Sequence, residues 1–325
     1  MADHWGRKTI LVPSLFLFAL AGGSCFFTNN WEVLLILRFF QGIGAASLGS
    51  LNVTLIGDLF SGPKRGAIMG YNASVLSTGT AAYPALGGAL ALAGWQYPFL
   101  LSLFAIPAGF LVIFCLKNPE PGEPQKLKNY LRRTWKNINK KTVWGLFIIN
   151  ILLFVILYGA YLSYFPQLMV ERLEANDFQI GLFMSGFSIV TAITSSRLKI
   201  INRWIKPKHQ LLISFFLYMV SMLVLSVAGS WWVLFIPLIT FGMGHGMLIP
   251  GIQTLLVGFA PLSERAGFMS INSMVLRLGQ TAGPVFIGIF YSIGGTQAAF
   301  VGGAVVAILM FITAIFMVNL KTAQE

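Results

Sequence analysis

Charged residues are scarce in this chain, and carboxylates are the scarcest of them. Only 10% of the 325 residues are charged and 56% are apolar, and 10 Asp and Glu accompany 22 Lys and Arg. A soluble globular domain carries about 25% charged residues. The composition therefore excludes an ordinary soluble protein and indicates a membrane protein.

Cysteine is nearly absent as well, and Cys25 and Cys115 are predicted at opposite ends of separate membrane helices. Two thiols a membrane thickness apart cannot form a disulfide with each other. The sequence also lacks a P-loop, a Cys/His cluster and a dinucleotide fingerprint that follows a strand. We therefore expect neither an enzyme nor a bound cofactor or metal, and an ATP-driven pump is disfavoured.

Long apolar stretches, by contrast, are abundant. A hydrocarbon core of roughly 30 Å needs about 20 apolar residues per helix. The stretches are too long and too uniformly apolar for the strands of a membrane barrel. The sequence predicts an all-α, multi-pass membrane protein with ten transmembrane helices, at 9–28, 31–58, 65–93, 96–116, 143–167, 178–200, 209–228, 231–258, 265–292 and 296–319.

The basic residues indicate the orientation of these helices. All but three of the 22 Lys and Arg fall in segments predicted on one side of the membrane, the exceptions being Arg38, Arg172 and Arg277. The positive-inside rule then places both termini in the cytoplasm. Because the basic residues lie in separate loops, they do not indicate a nucleic-acid surface.

The chain also matches itself when it is shifted by 200 residues. About a quarter of the pairs between 1–101 and 201–301 are identical, with no gap, which indicates a duplicated unit. The helices within 143–200 would then match two helices before Met1, so we expect that two N-terminal helices are missing. The informative identical pairs are Gly42/Gly242, Gly44/Gly244, Arg65/Arg265, Asn72/Asn272, Gly79/Gly279, Pro84/Pro284, Gly88/Gly288 and Gly94/Gly294.

A long polar stretch divides the chain into two helical bundles. The sequence predicts a truncated four-helix bundle at 1–116, a basic cytoplasmic linker at 117–142 and a six-helix bundle at 143–325. Apolar residues recur at helical spacing among the Lys and Arg of the linker, which favours an amphipathic helix on the anionic inner leaflet. A solvated linker is the alternative.

Two signatures in the first bundle resemble those of a known family. The opening MADHWGRK is similar to the end of the loop signature G-x-L-A-D-R-x-G-R-K, with Asp3, Gly6, Arg7 and Lys8 matching. The stretch RFFQGIGAA, which begins at Arg38, is similar to R-x-x-Q-G-x-G-A-A. Both belong to the major facilitator superfamily and its drug/proton antiporter branch, so the resemblance implies a two-bundle fold of the major-facilitator type. The chain is then expected to start inside the loop signature.

Arg38 is the main candidate for a functional residue. It lies about seven residues, roughly 10 Å, from the outer end of its helix, where an unpaired Arg is costly. The resemblance implies a role in proton coupling, together with Gln41 one turn on, which can share its face. Snorkelling to the outer interface, or bracing of a neighbouring helix, is the alternative.

The third signature lies on a Gly/Pro-rich helix. The stretch GTAAYPALGG resembles the antiporter pattern G-x-x-x-G-P-x-x-G-G, although Tyr83 replaces one Gly. Pro kinks a membrane helix and Gly permits close packing; a simple packing seam is the alternative. The residues assigned to this motif and its repeat are Gly79, Pro84, Gly87, Gly88, Gly283 and Pro284.

Polar residues of the second half are candidates for a substrate cavity. Tyr158, Tyr161 and Tyr164 recur at three-residue spacing and are expected to share roughly one side of a helix. Aromatic walls with few polar groups suit amphipathic or cationic organic molecules; lipid-interface tyrosines and simple packing are the alternatives. The candidates are Asn150, Tyr158, Tyr161, His245, Gln253, Asn272 and Arg277.

The sequence thus predicts a secondary transporter of the cell membrane. The resemblance implies proton-coupled efflux of small organic molecules or drugs by alternating access, with a small-molecule substrate and protons as partners and a monomer in the bilayer. A metabolite or sugar uptake symporter of the same superfamily is one alternative. A truncated membrane protein without transport activity is the other.

Overall fold

The computed structural model describes residues 7–60, 62–116, 139–259 and 265–318. In this part of the chain the regular structure is helical, with no strand, which confirms the predicted all-α fold. Seven helices there are long and apolar enough to cross a membrane: Lys8–Phe27, Tyr97–Cys115, Lys141–Leu173, Asp177–Ser196, Pro207–Val227, Phe235–Phe259 and Ile271–Met317.

The predicted number of ten membrane helices remains a prediction. Helices Trp31–Leu59 and Gly62–Ala91 coincide with two predicted stretches but are not among the seven candidate spans. One candidate span covers two predicted stretches, because the segment Arg265–Met317 consists of two helices that meet at the non-helical Gly294 and Gly295.

The chain divides into two compact units. The first contains residues 1–125 together with 177–182, and the second contains 126–176 and 183–325. The predicted linker lies mostly outside the described residues, so its amphipathic helix and the domain boundaries around it remain predictions.

The first unit contains four helical segments. Helix α1 (Arg7–Ser24) continues into a 3₁₀ turn, Cys25–Phe27. Asn30 caps α2 (Trp31–Leu59), since its side-chain oxygen accepts the amide hydrogens of Glu32 and Val33. Then follow α3 (Gly62–Ala91), a 3₁₀ segment (Tyr97–Phe104) and α4 (Ala105–Cys115).

Helix α1 lies between α2 and the 97–115 segment. Leu11 packs against Leu51 and Leu55 of α2. A Cβ added to Gly44 of α2 would lie 2.7 Å from the backbone nitrogen of Phe18, so the two backbones approach closely. On the other side, the Phe16 ring contacts Phe110 edge to face, with centroids 5.4 Å apart.

The second unit begins with a helix that changes type midway. Helix α5 (Lys141–Phe154) passes into a π-helix, Val155–Tyr161, and then into α6 (Leu162–Leu173). The Leu162 amide donates to the Leu157 carbonyl, five residues back, which is the π-helical pattern. The unit continues with α7 (Asp177–Ser196, of which 183–196 belong here), the short α8 (Leu198–Trp204), α9 (Pro207–Val227), α10 (Phe235–Phe259) and α11 (Arg265–Met317).

Both copies of the repeat are interrupted at the same position. Gly94 has a φ of 150° at the turn after α3, and Gly294 and Gly295 break α11, with a φ of 64° at Gly295. Positive φ values are strained for residues with a Cβ, so glycine suits both turns. The identical glycines at 94 and 294 therefore mark a shared chain reversal between two apolar segments.

Candidate functional site

The first candidate site surrounds Arg38 on α2. Its Nη1 donates a 2.8 Å hydrogen bond to Oε1 of Gln41, one turn further along the helix. The guanidinium also lies over the Phe99 ring, 5.2 Å from the centroid, which is cation–π geometry. The shared helix face of Arg38 and Gln41 expected from their spacing is therefore present. Phe99 comes from another element and had no signal in the sequence.

Gln41 is buried, whereas Arg38 is largely exposed in the first unit. The Gln41 amide packs where α1 carries Gly22, and a Cβ at Gly22 would lie 2.7 Å from Cβ of Ser102. Gly22 therefore leaves room for the amide that holds Arg38. Among the described residues, no carboxylate forms an ion pair with this Arg.

The loop-signature residues are only partly visible. Asp3 and Gly6 lie outside the described residues, and Arg7 begins α1. Nζ of Lys8 donates to the carbonyl oxygens of Ile113, at 2.6 Å, and Leu116, at 2.9 Å. A cation at the last carbonyls of α4 completes the hydrogen bonding of that helix end.

The Gly/Pro motif of α3 is not uniformly packed. A Cβ added to Gly87 would meet nothing within 4 Å, and one added to Gly79 would meet only the Tyr83 ring, at 3.0 Å. Gly88 is different: a Cβ there would lie 3.1 Å from Cα of Phe178, in the part of α7 that belongs to the first unit. Pro84 lies within the helix.

The repeat of this motif forms a close helix crossing. A Cβ added to Gly283 of α11 would lie 3.0 Å from the backbone nitrogen of Gly159 and 3.1 Å from Cα of Val155. Gly279, one turn earlier, lies in the same way against Ile151 of α5. Glycines four residues apart thus bring α11 against α5 and the π-helix. Pro284 follows directly and is exposed.

Two of the predicted cavity residues bond to each other. Nδ2 of Asn150 donates a 2.7 Å hydrogen bond to Oδ1 of Asn272, and both side chains are buried. The pair joins α5 to α11 next to the glycine crossing. In the first unit, the repeat-related Asn72 accepts a 2.8 Å bond from Asn52, in a more exposed position.

The three tyrosines do not share one side as expected. Tyr161 is buried and stacks with Phe165 and Phe241, with centroids 5.0 and 4.8 Å away. Tyr164 instead stacks on Tyr291 of α11, at 4.7 Å. The π-helix has more residues per turn than an α-helix and rotates these side chains apart. Tyr158 is half-buried.

His245 belongs to the same buried aromatic cluster. Its Nδ1 forms a 2.5 Å hydrogen bond with the hydroxyl of Tyr218 on α9, and its ring lies 5.5 Å from Phe187 of α7. Tyr218, which the sequence reasoning missed, is itself fully buried. The histidine is therefore engaged with protein rather than lining an open cavity.

The remaining candidates are accessible. Gln253 and Arg277 are exposed, and Nη1 of Arg277 lies 3.4 Å from Oε1 of Gln280. Arg277 and Gln280 repeat the Arg-to-Gln spacing of the first site, at a different place in the second unit. The predicted cavity set thus divides into buried, mutually bonded residues (Asn150, Tyr161, His245 and Asn272) and reachable ones (Tyr158, Gln253 and Arg277).

Similar proteins are known from bacteria. Multidrug resistance protein 1 of Bacillus subtilis is 27% identical over 295 residues, covering 90% of this chain and 75% of that protein. The bacillibactin exporter of the same species is 28% identical over 350 residues, covering 100% and 84%. Quinolone resistance protein NorA of Staphylococcus aureus is 23% identical over 302 residues, covering 90% and 76%.

Solved structures agree on the fold. A bacterial homologue of the human lysosomal transporter Spinster, inward-facing and unoccupied, superposes with a TM-score of 0.78 at 14% identity, covering 99% of this chain and 84% of that one. The human organic anion transporter MFSD10 gives 0.66 at 18% identity, covering 96% and 78%. The family model of the Major Facilitator Superfamily matches residues 1–220 and 165–325. The chain therefore belongs to the Major Facilitator Superfamily, as a multi-pass membrane transporter.

Proposed function

We propose that this transporter exports small organic molecules in exchange for protons, with Arg38 as the residue that makes transport depend on the proton gradient. Its relatives are named a multidrug resistance protein, a bacillibactin exporter and a quinolone resistance protein. These names refer to export of, or resistance to, organic molecules, which supports export as the proposed direction. Both termini then face the cytoplasm of the cell membrane, as the basic loops favour.

The geometry around Arg38 carries this proposal. Its guanidinium is held by the Phe99 ring and the Gln41 amide rather than by a carboxylate. We therefore assign Arg38 as a positioning residue, whose positive charge acts on the group that binds and releases the proton.

The substrate would contact the reachable residues of the second unit. Tyr158 offers an aromatic edge, while Gln253 and Arg277 are exposed polar groups. Asn150, Tyr161, His245 and Asn272 would act indirectly, by fixing the helices that present those groups.

Replacement of Arg38 tests the proposed function. Leu238 occupies the same repeat position in the second unit, so Arg38→Leu should fold and insert. Loss of the cation should abolish substrate flux driven by a pH gradient. Flux is measured in proteoliposomes with and without the gradient, beside thermal unfolding in detergent.

A matched control is available in the same unit. Lys64 also lies over a phenylalanine ring, 5.3 Å from the centroid of Phe60, so Lys64→Leu removes a similar cation–π contact elsewhere and should leave gradient-driven flux intact. Wild-type flux in Arg38→Leu would contradict the coupling role. A loss of stability rather than of flux would make Arg38 a structural brace, and gradient-independent flux in the wild-type protein would contradict proton exchange itself.

A further inference from the structure

We propose that the basic loop, residues 197–209, is a docking surface for the headgroups of anionic phospholipids. It connects two candidate membrane spans, since α7 ends at Ser196 and α9 begins at Pro207. A segment of this length between two spans lies at the membrane–water boundary. It is also helical there, as α8.

The exposed surface of α8 combines two kinds of side chain. Lys199 and Arg203 are exposed and four residues apart, so they are neighbours on one side of the helix. Ile200 and Trp204 form a second exposed pair at the same spacing, and Trp204 is 86% exposed. An apolar pair beside a cationic pair matches the interface, where tryptophan enters the headgroup layer and cations meet phosphates.

A third side of α8 is less exposed. Leu198 and Ile201 are partly buried, and they lie on one side of the helix because they are three residues apart. The exposed cationic and apolar pairs therefore lie on other sides of α8.

The cations of the basic loop have no side-chain partner among the described residues. In the described part of the chain, no hydrogen bond or ion pair occupies the side chains of Arg197, Lys199, Arg203, Lys206 and Lys208. The sequence contains no Asp or Glu from 178 to 263. Five cations with no nearby carboxylate in the sequence call for an anionic partner from outside the chain.

The internal repeat shows that the basic loop differs in charge from the matching residues of the first half. Residues 201–208 correspond to residues 1–8, and Arg203 stands where the first copy has Asp3. The first copy thus carries a carboxylate at this position, whereas the charged residues of 201–208 are all cations. An all-cationic loop with an exposed tryptophan suits a lipid surface better than a soluble acidic protein.

The expected strength of binding follows from the charge. Each Lys or Arg near an anionic surface contributes about fivefold in affinity, so three of them contribute roughly a hundredfold. The purified full chain in detergent is titrated with phosphatidylglycerol and, separately, with phosphatidylcholine. Bound lipid is counted by native mass spectrometry, and the unfolding midpoint is recorded in parallel. Phosphatidylglycerol should bind preferentially and raise that midpoint.

Three variants test which part of the loop binds. Lys199→Gln/Arg203→Gln/Lys206→Gln should weaken phosphatidylglycerol binding roughly a hundredfold. The charge-conserving Lys199→Arg/Arg203→Lys should bind as the wild type does, which separates lost charge from lost folding. Trp204→Ala should weaken binding of the intact lipid.

Trp232 supplies the matched control for the Trp204→Ala variant. It is 83% exposed and follows α9, at the opposite end of that helix from the basic loop, so Trp232→Ala should leave phosphatidylglycerol binding unchanged. Equal binding of both lipids, or wild-type binding by the triple variant, would overturn the proposal. Competition by glycerol phosphate as strong as that by phosphatidylglycerol would instead assign the loop to soluble phosphates.

Discussion

Substitution of the glycines at the α5–α11 crossing should destabilise the second unit, although alanine is the better helix former. A Cβ on Gly159 would lie 2.6 Å from the carbonyl carbon of Gly283 and 2.7 Å from Cγ1 of Ile287. Ordinary carbon contacts are about 3.5 to 4.0 Å, so the two helices would have to separate by about 1 Å. The obstacle at Gly283 is backbone, which cannot rotate away.

The magnitude follows from two opposing effects. Replacing glycine by alanine inside a helix gains about 0.8–1.0 kcal/mol from backbone propensity. Overpacking of a tight contact costs about 1–3 kcal/mol. Gly159→Ala should approach the upper end of that cost and destabilise by about 2 kcal/mol net. Gly283→Ala meets the backbone nitrogen of Gly159 at 3.0 Å, so its net loss should be about 1 kcal/mol.

Gly258 of α10 provides the control, because a Cβ there would meet nothing within 4 Å. Gly258→Ala should be neutral or stabilising by up to about 1 kcal/mol. Unfolding of the three variants is followed by the thermal midpoint and by denaturant titration in one detergent. Gly159→Ala and Gly258→Ala should shift stability in opposite directions. A Gly159→Ala protein as stable as Gly258→Ala would refute the close crossing.

Two further polar contacts of the second unit give measurable expectations. Asn150→Ala and Asn272→Ala should each destabilise the protein by about 1–3 kcal/mol, because each leaves a buried amide unpaired. A double-mutant cycle in detergent should give a coupling energy of about 0.6–1.7 kcal/mol. Additive effects of the two substitutions would exclude the bond. Tyr218→Phe should lower the free energy of unfolding by about 1 kcal/mol, because it leaves Nδ1 of His245 without its partner. His245→Phe in that background should recover part of this stability in unfolding measurements. Further destabilisation by the second substitution would exclude the pairing.

The sequence predicted much of the fold because apolar length and the 200-residue repeat are local or periodic properties. The all-α architecture follows from them, and the repeat also marks the break at Gly94 and Gly294. The glycine crossing was only half predictable. Gly283 could be found as the repeat of a Gly/Pro motif, but its partner Gly159 lies outside the two repeat-matched stretches, 1–101 and 201–301.

Side-chain direction was predictable only where the helix is regular. The bond from Arg38 to Gln41 follows from α-helical spacing, and it is present. The expected common side of Tyr161 and Tyr164 is absent, because Tyr161 lies at the end of a π-helix and sequence periodicity gives no sign of that helix. Phe99 joins the Arg38 site by tertiary contact, for which one sequence offers no periodic signal.

The two halves carry different residues at several repeat-related positions where the side chains have different contacts. Gly283 must be glycine because a helix crosses it, whereas its repeat mate Tyr83 is 61% exposed within its own unit and accommodates a ring. Gln41 holds an arginine, whereas its mate Phe241 packs into a buried aromatic cluster.

Leucine replaces Arg38 at position 238, so the duplicated fold does not require the cation there. The charge is thus specific to the first copy, where the Gln41 side chain and the Phe99 ring hold it. Since the second copy folds around leucine at that position, transport activity is the property that Arg38→Leu should change.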